Sequence, residues 1–175
     1  SIPAPSDHPY LTRKKIKPFD VTQLGNKLLV KMMCANTQQP ASVQIISEDG
    51  TKRFLTGGKT KGSYGHIRGD KDKGVFICEG YATGATIAEA TGGDVYLAFS
   101  ANNLQLIFDF VRKQLPGFKI YIVGDDDRWT KGNPGRSKAE LVDGADVIFP
   151  EFCDYSEGSP TDFNDLHIRE GLDVV

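Results

Sequence analysis

The sequence has few cysteines and no long apolar run, and both absences narrow the class of protein. Three cysteines occur, Cys34, Cys78 and Cys153, and none forms a CxxC pair. This spacing is typical of free thiols and argues against a disulfide framework or a zinc ribbon. No apolar stretch approaches the ~18 residues of a membrane span, and the first residues lack the apolar core of a signal peptide. We therefore expect a cytoplasmic protein with no membrane partner. Because the first residue is Ser rather than Met, we also expect a piece of a longer protein.

The charge is nearly balanced overall but is divided unequally along the chain. The formal net charge is −2. Residues 1–78 carry 13 Lys or Arg against 6 Asp or Glu, whereas residues 79–175 carry 8 against 17. Such a division favours a basic part that binds polyanions and an acidic part that binds cations. Chance clustering of charge on solvated faces is the alternative that the pattern alone leaves open.

The first part of the chain, residues 1–73, is predicted to be a basic arm followed by a small antiparallel β subdomain. Four prolines, the last of them Pro18, discourage regular structure in residues 1–20. The stretches KLLVKMMC and ASVQIIS are typical of strands. The turn at Asp49–Gly50 then separates two β-prone runs, which predicts a hairpin.

The rest of the chain, residues 74–175, alternates between apolar strands and helical patterns. The strands are predicted at GVFIC, DVYLAFS, KIYIVG and ADVIFP, and the clearest amphipathic helix between them is NNLQLIFDFVRKQLPG. This alternation predicts an α/β fold with a parallel, doubly wound sheet that is flanked by helices. The expected organisation is a basic N-terminal antiparallel β subdomain, residues 1–73, followed by an α/β domain, residues 74–175.

Acidic residues follow two of these strands at the point where each strand ends. Glu79 follows GVFIC, and Asp125, Asp126 and Asp127 follow KIYIVG. Ligands of such sheets bind beyond the carboxyl ends of the strands, so neighbouring strands would bring these side chains together. Strand alternation places Asp125 and Asp127 on one side, with Asp126 pointing elsewhere. Oxygen ligands without His or Cys favour Mg²⁺ or Mn²⁺, ions that commonly serve phosphoryl chemistry. For the three aspartates taken alone, a solvated turn that caps the next helix is the alternative.

The two acidic motifs resemble a known family. CEGYATGATI followed by IVGDDD resembles the Toprim domain, a Rossmann-like domain shared by bacterial-type primases, topoisomerases and some nucleases. Further stretches extend the resemblance over nearly the whole chain, to the primases of plasmids and phages, including those of conjugative plasmids and the primase-helicases of satellite phages: HPYLTRKKI, DGTKRFLTGGKTKG, GNPGRSKA and TDFNDL.

This resemblance implies the catalytic core of a DNA primase, a nucleotidyltransferase that synthesises short primers on single-stranded DNA in plasmid, phage or mobile-element replication. It implies that Glu79, Asp125 and Asp127 are catalytic and bind the metal ion, with Glu79 also a general acid or base. Nucleoside triphosphates are the implied substrates, and a helicase, in the same chain or another, is the implied partner. The chain departs from bacterial primases because it has no zinc-binding module, and it also has no Walker motif of a helicase.

Charged residues near these motifs are further candidates for binding. Four cations after the aspartates suit the phosphates of a nucleoside triphosphate: Arg128, Lys131, Arg136 and Lys138. Asp162 and Asp165 in TDFNDL either bring a second metal ion or cap the helix that follows. A third set is predicted to contact the phosphates of nucleic acid: Arg13, Lys14, Lys52, Arg53, Lys59 and Lys61. Aromatic side chains in the basic part either stack on bases or belong to the core: Phe54, Tyr64 and His66.

Two other functions use the same residues. A Toprim nuclease would cleave DNA phosphodiesters with the same acidic set, and a non-catalytic module would bind single-stranded nucleic acid through the basic hairpin. The cations after Asp127 favour a triphosphate substrate and hence the primase. A non-catalytic module would give Glu79, Asp125 and Asp127 no reason to meet.

Overall fold

The chain folds into ten strands and five α-helices, as described by a computed structural model for residues 1–156 and 158–175. The strands are β1 (Ile2–Pro3), β2 (Val21–Leu24), β3 (Lys27–Cys34), β4 (Pro40–Ser47), β5 (Lys52–Phe54), β6 (Ser63–Ile67), β7 (Asp70–Cys78), β8 (Gly93–Leu97), β9 (Ile120–Val123) and β10 (Asp146–Ile148). The helices are α1 (Pro9–Lys14), α2 (Tyr81–Thr91), α3 (Leu104–Gln114), α4 (Pro134–Glu140) and α5 (Phe163–Glu170). Single 3₁₀ turns occur at Ala101–Asn103 and Leu172–Val174.

The strands form one continuous sheet in the order β1-β2-β3-β6-β8-β7-β9-β10, and β4 branches from β3 to pair with β5. Strands β8, β7, β9 and β10 are parallel, and the strands of the N-terminal part pair antiparallel. The hairpin predicted at Asp49–Gly50 joins β4 to β5. The fold is therefore mixed α/β, as the alternation of strands and helices predicted.

The sheet passes without a break across the boundary that the sequence placed after residue 73. Strand β7 begins at Asp70, and its ladder with β8 is interrupted between Asp70 and Val75. Strand β6 belongs to the N-terminal part, yet it pairs antiparallel with β8, with His66 opposite Tyr96. The antiparallel and parallel parts thus share backbone hydrogen bonds through β6.

Helices cover both faces of the parallel strands, which explains why those strands are apolar throughout. Residues of α2 and α5 pack on one face, in a core that also includes side chains of α1 and of β2 to β4. Residues of α3 and α4 pack on the other face. In α3 the buried residues are Leu104, Ile107, Phe108 and Val111, the stripe that the sequence spacing predicted.

The N-terminal arm is folded, contrary to the expectation from its prolines. Pro9 is the first residue of α1, where its missing N–H costs no hydrogen bond, and the side chain of His8 caps the helix. Tyr10 and Leu11 are buried, and Ile2–Pro3 pairs with β2. A proline discourages a helix in its interior but not at its start, which is why the prediction was wrong here.

Among the described residues, no helix is long and apolar enough to cross a membrane.

Candidate active site

The carboxyl ends of β7 and β9 lie side by side. The two strands pair in parallel with Cys78 opposite Val123, so Glu79 and Asp125 leave the sheet at the same edge. Strand β8 flanks β7 on the other side, and the N–H of Phe99 donates to the carbonyl of Glu79 over 2.9 Å. The adjacency that the predicted acidic site required is therefore present.

Glu79 and Asp125 are partly buried, and the pKa values of both are raised. At Glu79 burial is the main cause and the charge of Asp127 adds to it; a backbone hydrogen bond from Ala101 opposes both, and the pKa is about 7. At Asp125 burial is again the main cause, and three carboxylates add to it and bring the pKa to about 8: those of Asp162, Glu79 and Asp127.

Asp125 has an unsatisfied oxygen as well as a raised pKa. Its Oδ1 is buried and has no hydrogen-bond partner within the described part of the chain. A buried polar atom of this kind calls for an explanation, and an unmodelled ion is one of the common ones. We call Glu79, Asp125, Asp127 and Asp162 together the acidic edge.

The carboxylate of Asp127 is held by the start of α4. The N–H of Gly135 donates to Oδ2 of Asp127 over 2.9 Å. A Cβ at residue 135 would lie 2.7 Å from the same oxygen, so a larger residue would displace the carboxylate. The NPG motif, which the sequence marked only as shaping the loop, thus positions one of the predicted metal ligands.

Asp126 points away from the acidic edge and is the centre of a separate cluster. Its Oδ2 accepts from Nε of Arg128 at 3.0 Å, and its Oδ1 accepts from Nδ2 of Asn133 at 2.6 Å and from Nε of Arg136 at 3.4 Å. Burial acts to raise the pKa of Asp126, but these three hydrogen bonds outweigh it and the pKa is lowered. We call Asp126, Arg128, Asn133 and Arg136 the arginine cluster.

Two of the four cations predicted to bind a triphosphate therefore have partners inside the protein. Besides their bonds to Asp126, the guanidinium of Arg128 lies 3.9 Å from the ring centroid of Tyr155, and that of Arg136 lies 3.9 Å from that of Phe149. The other two, Lys131 and Lys138, are exposed and form no ion pair with any residue that the structure describes. The sequence contained the residues of the arginine cluster but gave no sign of their pairing with Asp126.

Asp162 and Asp165 both hold the start of α5. Oδ1 of Asp162 accepts from the N–H of Asp165 at 2.8 Å, and Oδ2 of Asp165 accepts from the N–H of Thr161 at 3.0 Å. Capping, one of the two roles weighed from the sequence, is thus present. The N–H of Asp126 donates to the carbonyl of Thr161, which joins this cap to the end of β9. Burial and the charge of Asp165 raise the pKa of Asp162, the member of the pair that acts on Asp125.

Lys52 is the cation of the basic hairpin that reaches the acidic edge. Its Nζ lies 3.7 Å from the position of a Cβ on Gly80, next to Glu79. Burial of the ammonium group is the main cause that lowers the pKa of Lys52, and the charges of Asp162 and Asp125 oppose that shift. Lys14 approaches the same edge through an ion pair of 3.8 Å with Asp165.

The neighbouring cations of the predicted nucleic-acid set point elsewhere. Lys52 and Phe54 pair with the buried Ile46 and Gln44, so Arg53 faces the opposite side of the hairpin. Nζ of Lys59 donates to Sγ of Cys34 over 3.6 Å, and Lys61 is exposed.

Arg13 and two of the three aromatic candidates have partners inside the protein. The guanidinium of Arg13 lies 5.8 Å from the ring centroid of Tyr10. His66 pairs with Asp94 at 2.8 Å and stacks on Tyr96, and the ring of Tyr64 lies 4.8 Å from that of Phe110. Phe54 differs, because it meets Phe99 edge-on and remains 40% exposed.

The donors at the acidic edge suit a hard divalent cation in kind but are not drawn together into a ligand cage. All are carboxylate oxygens, the donors that Mg²⁺ and Mn²⁺ prefer, and Oδ1 of Asp125 lacks a partner among the described residues. Within residues 1–156 and 158–175, however, no three His, Cys, Asp or Glu side chains stand close enough to hold a metal ion.

The fold is shared with primase structures. The primase fragment of the bacteriophage T7 primase-helicase protein matches with a TM-score of 0.60 at 13% identity, over 94% of this chain and 71% of that chain. A chain from the structure of the T7 lagging-strand DNA polymerase with two primase domains, an RNA/DNA hybrid and dTTP matches with a TM-score of 0.51 at 13% identity, over 93% of this chain and 89% of that one. At such identity the likeness shows the fold alone.

Sequence similarity leads to a more specific relative. Two proteins of Escherichia coli, both called DNA primase TraC, are each 35% identical to the chain, over 195 and 176 aligned residues that include 98% and 92% of it. The chain spans only 18% and 12% of the lengths of these relatives, so it corresponds to a segment of each. A comparison with models of protein families finds no match.

Proposed function

We propose that this chain is the catalytic core of a DNA primase of the Toprim type, which joins nucleotides into short primers on a single-stranded DNA template. The observation that carries the proposal is the acidic edge, where four carboxylates act on one another and Oδ1 of Asp125 lacks a partner among the described residues. Similarity to DNA primase TraC over almost the whole chain supports the same reaction class.

The reaction needs charge stabilisation at the phosphates and an acceptor for one proton. A 3′ oxygen attacks the α-phosphorus of the next nucleotide, the new P–O bond forms, and pyrophosphate leaves. Glu79, whose pKa is about 7, is suited to accept the proton of the attacking hydroxyl near neutral pH. Lys52 offers positive charge at the same edge, where negative charge develops on the phosphates.

Mg²⁺ or Mn²⁺ completes the proposed site. Glu79, Asp125 and Asp127 would hold one ion, and Asp162 with Asp165 would help to hold a second. A bound cation favours the ionised carboxylates and supplies charge stabilisation to the phosphates. Support comes from the all-oxygen donor set and from the orphaned oxygen of Asp125.

The remaining contacts divide between triphosphate and template. Lys131 and Lys138 are exposed beside the site and are the first candidates for the triphosphate, since Arg128 and Arg136 are bound to Asp126. The exposed cations of the N-terminal part would contact template phosphates. Because the chain spans 18% of its relative, a helicase partner and a role in replicating a plasmid, phage or other mobile element belong to the proposal for the parent protein.

Primer synthesis on single-stranded DNA, with labelled ribonucleotides and Mg²⁺, tests this function. Asp125→Asn keeps the shape of the side chain and removes its charge, so we expect product formation to fall by about 100-fold or more, as when one transition-state contact is removed. Asp143→Asn is the matched control, because Asp143 is an exposed aspartate that follows α4 away from the acidic edge.

The same samples are assayed for nicking of plasmid DNA. Short labelled products that require Asp125 support the primase. Cleavage without synthesis would assign the acidic edge to a nuclease instead. DNA binding with neither reaction would leave a non-catalytic binding module and would contradict the proposal.

A further inference from the structure

A cavity opens next to the acidic edge, between the hairpin and the end of β8. It measures about 310 Å³ and is lined by Phe54, Lys61, Phe99, Ser100 and Asn102, among others. Phe99 connects it directly to the acidic edge, because its N–H donates to the carbonyl of Glu79. The ring of Phe54 lies 6.2 Å from that of Phe99, and a large part of Phe54 is open to solvent. An exposed aromatic ring in a cavity lined by amide and ammonium groups is suited to a nucleobase.

Lys61 also lines a second and larger groove, of about 760 Å³, which separates the loop of residues 59–62 from α3. Three lysines face this groove, Lys59 and Lys61 from the loop and Lys113 from α3. Leu106 and Phe110 supply apolar surface. Its one carboxylate, Asp109, already accepts a hydrogen bond of 2.8 Å from Gln105. The groove therefore has the composition of a surface for a polyanion with apolar bases.

The wall between the two cavities is fixed by one buried side chain. Oδ1 of Asn103 accepts from the N–H of Gly62 at 2.9 Å, and its Nδ2 donates to the carbonyls of Thr60 at 2.9 Å and Ala98 at 3.0 Å. These bonds tie the loop of residues 59–62 to the end of β8 and the start of α3. The relative placement of Lys61 and the α3 surface is thus built into the fold, which lowers the cost of ordering a ligand along it.

We propose that the template strand leaves the acidic edge by stacking a base on Phe54 and then runs past Lys61 through the groove along α3, where Lys113 contacts a phosphate. This inference rests on the proposed function and adds α3 as a wall of the template path. Two cavities in series, with lysines spaced along them, suit a chain of several nucleotides better than a single triphosphate. The term template track refers below to Phe54, Lys61, Phe99 and Lys113.

The test measures binding of a fluorescently labelled single-stranded DNA oligonucleotide to the full chain over a range of salt concentrations, without divalent cations. The variants are Phe54→Leu, which stays apolar but loses the ring, and Lys113→Ala. Lys119→Ala is the matched control, because Lys119 is an exposed lysine that precedes β9 and lies at the opposite edge of the sheet. Circular dichroism verifies that each variant folds.

We expect Phe54→Leu to weaken binding by about tenfold, within the range measured for the loss of one base–aromatic stack. A 2-aminopurine base in the oligonucleotide should also be quenched by wild type and less so by this variant. Lys113→Ala should reduce the slope of log affinity against log salt by about 0.7, the value for one phosphate contact on a single strand. Lys119→Ala should leave affinity and slope unchanged.

Wild-type affinity in Phe54→Leu and an unchanged salt slope in Lys113→Ala would overturn the template track. So would a Phe54→Leu variant that binds DNA normally but binds nucleoside triphosphate more weakly, because the cavity would then be a nucleotide site. Primer synthesis by the same preparations tests the proposed function separately. DNA binding that depends on Phe54 and Lys113 in a chain that makes no primer would support the track and contradict the primase, and the converse would do the opposite.

Discussion

Asp125 and Asp126 are neighbours in the chain, yet the protein treats their charges in opposite ways. The arginine cluster surrounds Asp126 with two guanidinium groups and an amide, and its pKa is lowered. The acidic edge places Asp125 among other carboxylates, and burial together with those charges raises its pKa to about 8. Compensated charge of the first kind holds a loop together. Uncompensated charge of the second kind costs stability and is kept where a ligand will supply the missing charge.

The largest effect on stability is expected when the compensated charge is removed. Asp126→Ala leaves Arg128 and Arg136 facing one another without their shared carboxylate. We expect the free energy of unfolding to fall by about 3 kcal/mol, the lower end of the range for a broken buried ion pair, because both arginines keep contact with water. Urea unfolding measures the change, with Asp143→Ala as the control. A loss below about 1 kcal/mol would mean that the cluster does not hold the loop.

A divalent cation should stabilise the acidic edge by a slightly smaller amount. At a Mg²⁺ concentration 100 times its dissociation constant, the free energy of unfolding should rise by about 2.7 kcal/mol. Thermal unfolding with and without Mg²⁺ measures this gain in wild type, in Asp125→Asn and in Asp143→Asn. The gain should disappear in Asp125→Asn and persist in Asp143→Asn. An equal gain in all three proteins would place the ion elsewhere.

The pH dependence of stability should differ between wild type and Asp125→Asn in the absence of metal. Because the folded pKa of Asp125 is raised to about 8, the folded state holds a proton that the unfolded state has lost above its usual pKa near 3.8. Stability should therefore fall as pH rises from about 4 to 8, by up to about 1.4 kcal/mol per pH unit for this group. Urea midpoints at pH 5, 6 and 7 should show this slope in wild type and a shallower one in Asp125→Asn. Parallel slopes would contradict the uncompensated state of Asp125.

The position of the acidic edge was accessible to sequence reasoning because it depends on regular structure. Apolar strands separated by helices predict a parallel sheet, and the end of each strand can be read where the apolar run stops. Glu79 and Asp125 therefore could be assigned to one edge before their neighbours were known. The alternation of side chains along β9 likewise predicted that Asp126 would point away.

Other features depend on contacts that no local pattern encodes. The arginine cluster forms across an irregular loop, in which Asn133 adopts a positive φ of 43°. The pairing of β6 with β8 joins residues from the two predicted parts of the chain. In the hairpin, Lys52 and Arg53 are alike in sequence, and only the register of β5 on β4 directs Lys52 toward the acidic edge and Arg53 away from it.

The pairing of β6 with β8 has a consequence for how such a protein can be divided and recombined. A gene fragment that began at residue 74 would encode all the parallel strands of the sheet but would remove the neighbour of β8, a strand whose five residues are all buried. The exposed backbone edge of that strand would offer a template for pairing with other chains. Residues 63–67 therefore travel with the acidic half in any viable exchange of modules, and the natural cut lies before β6, upstream of the point where the composition changes.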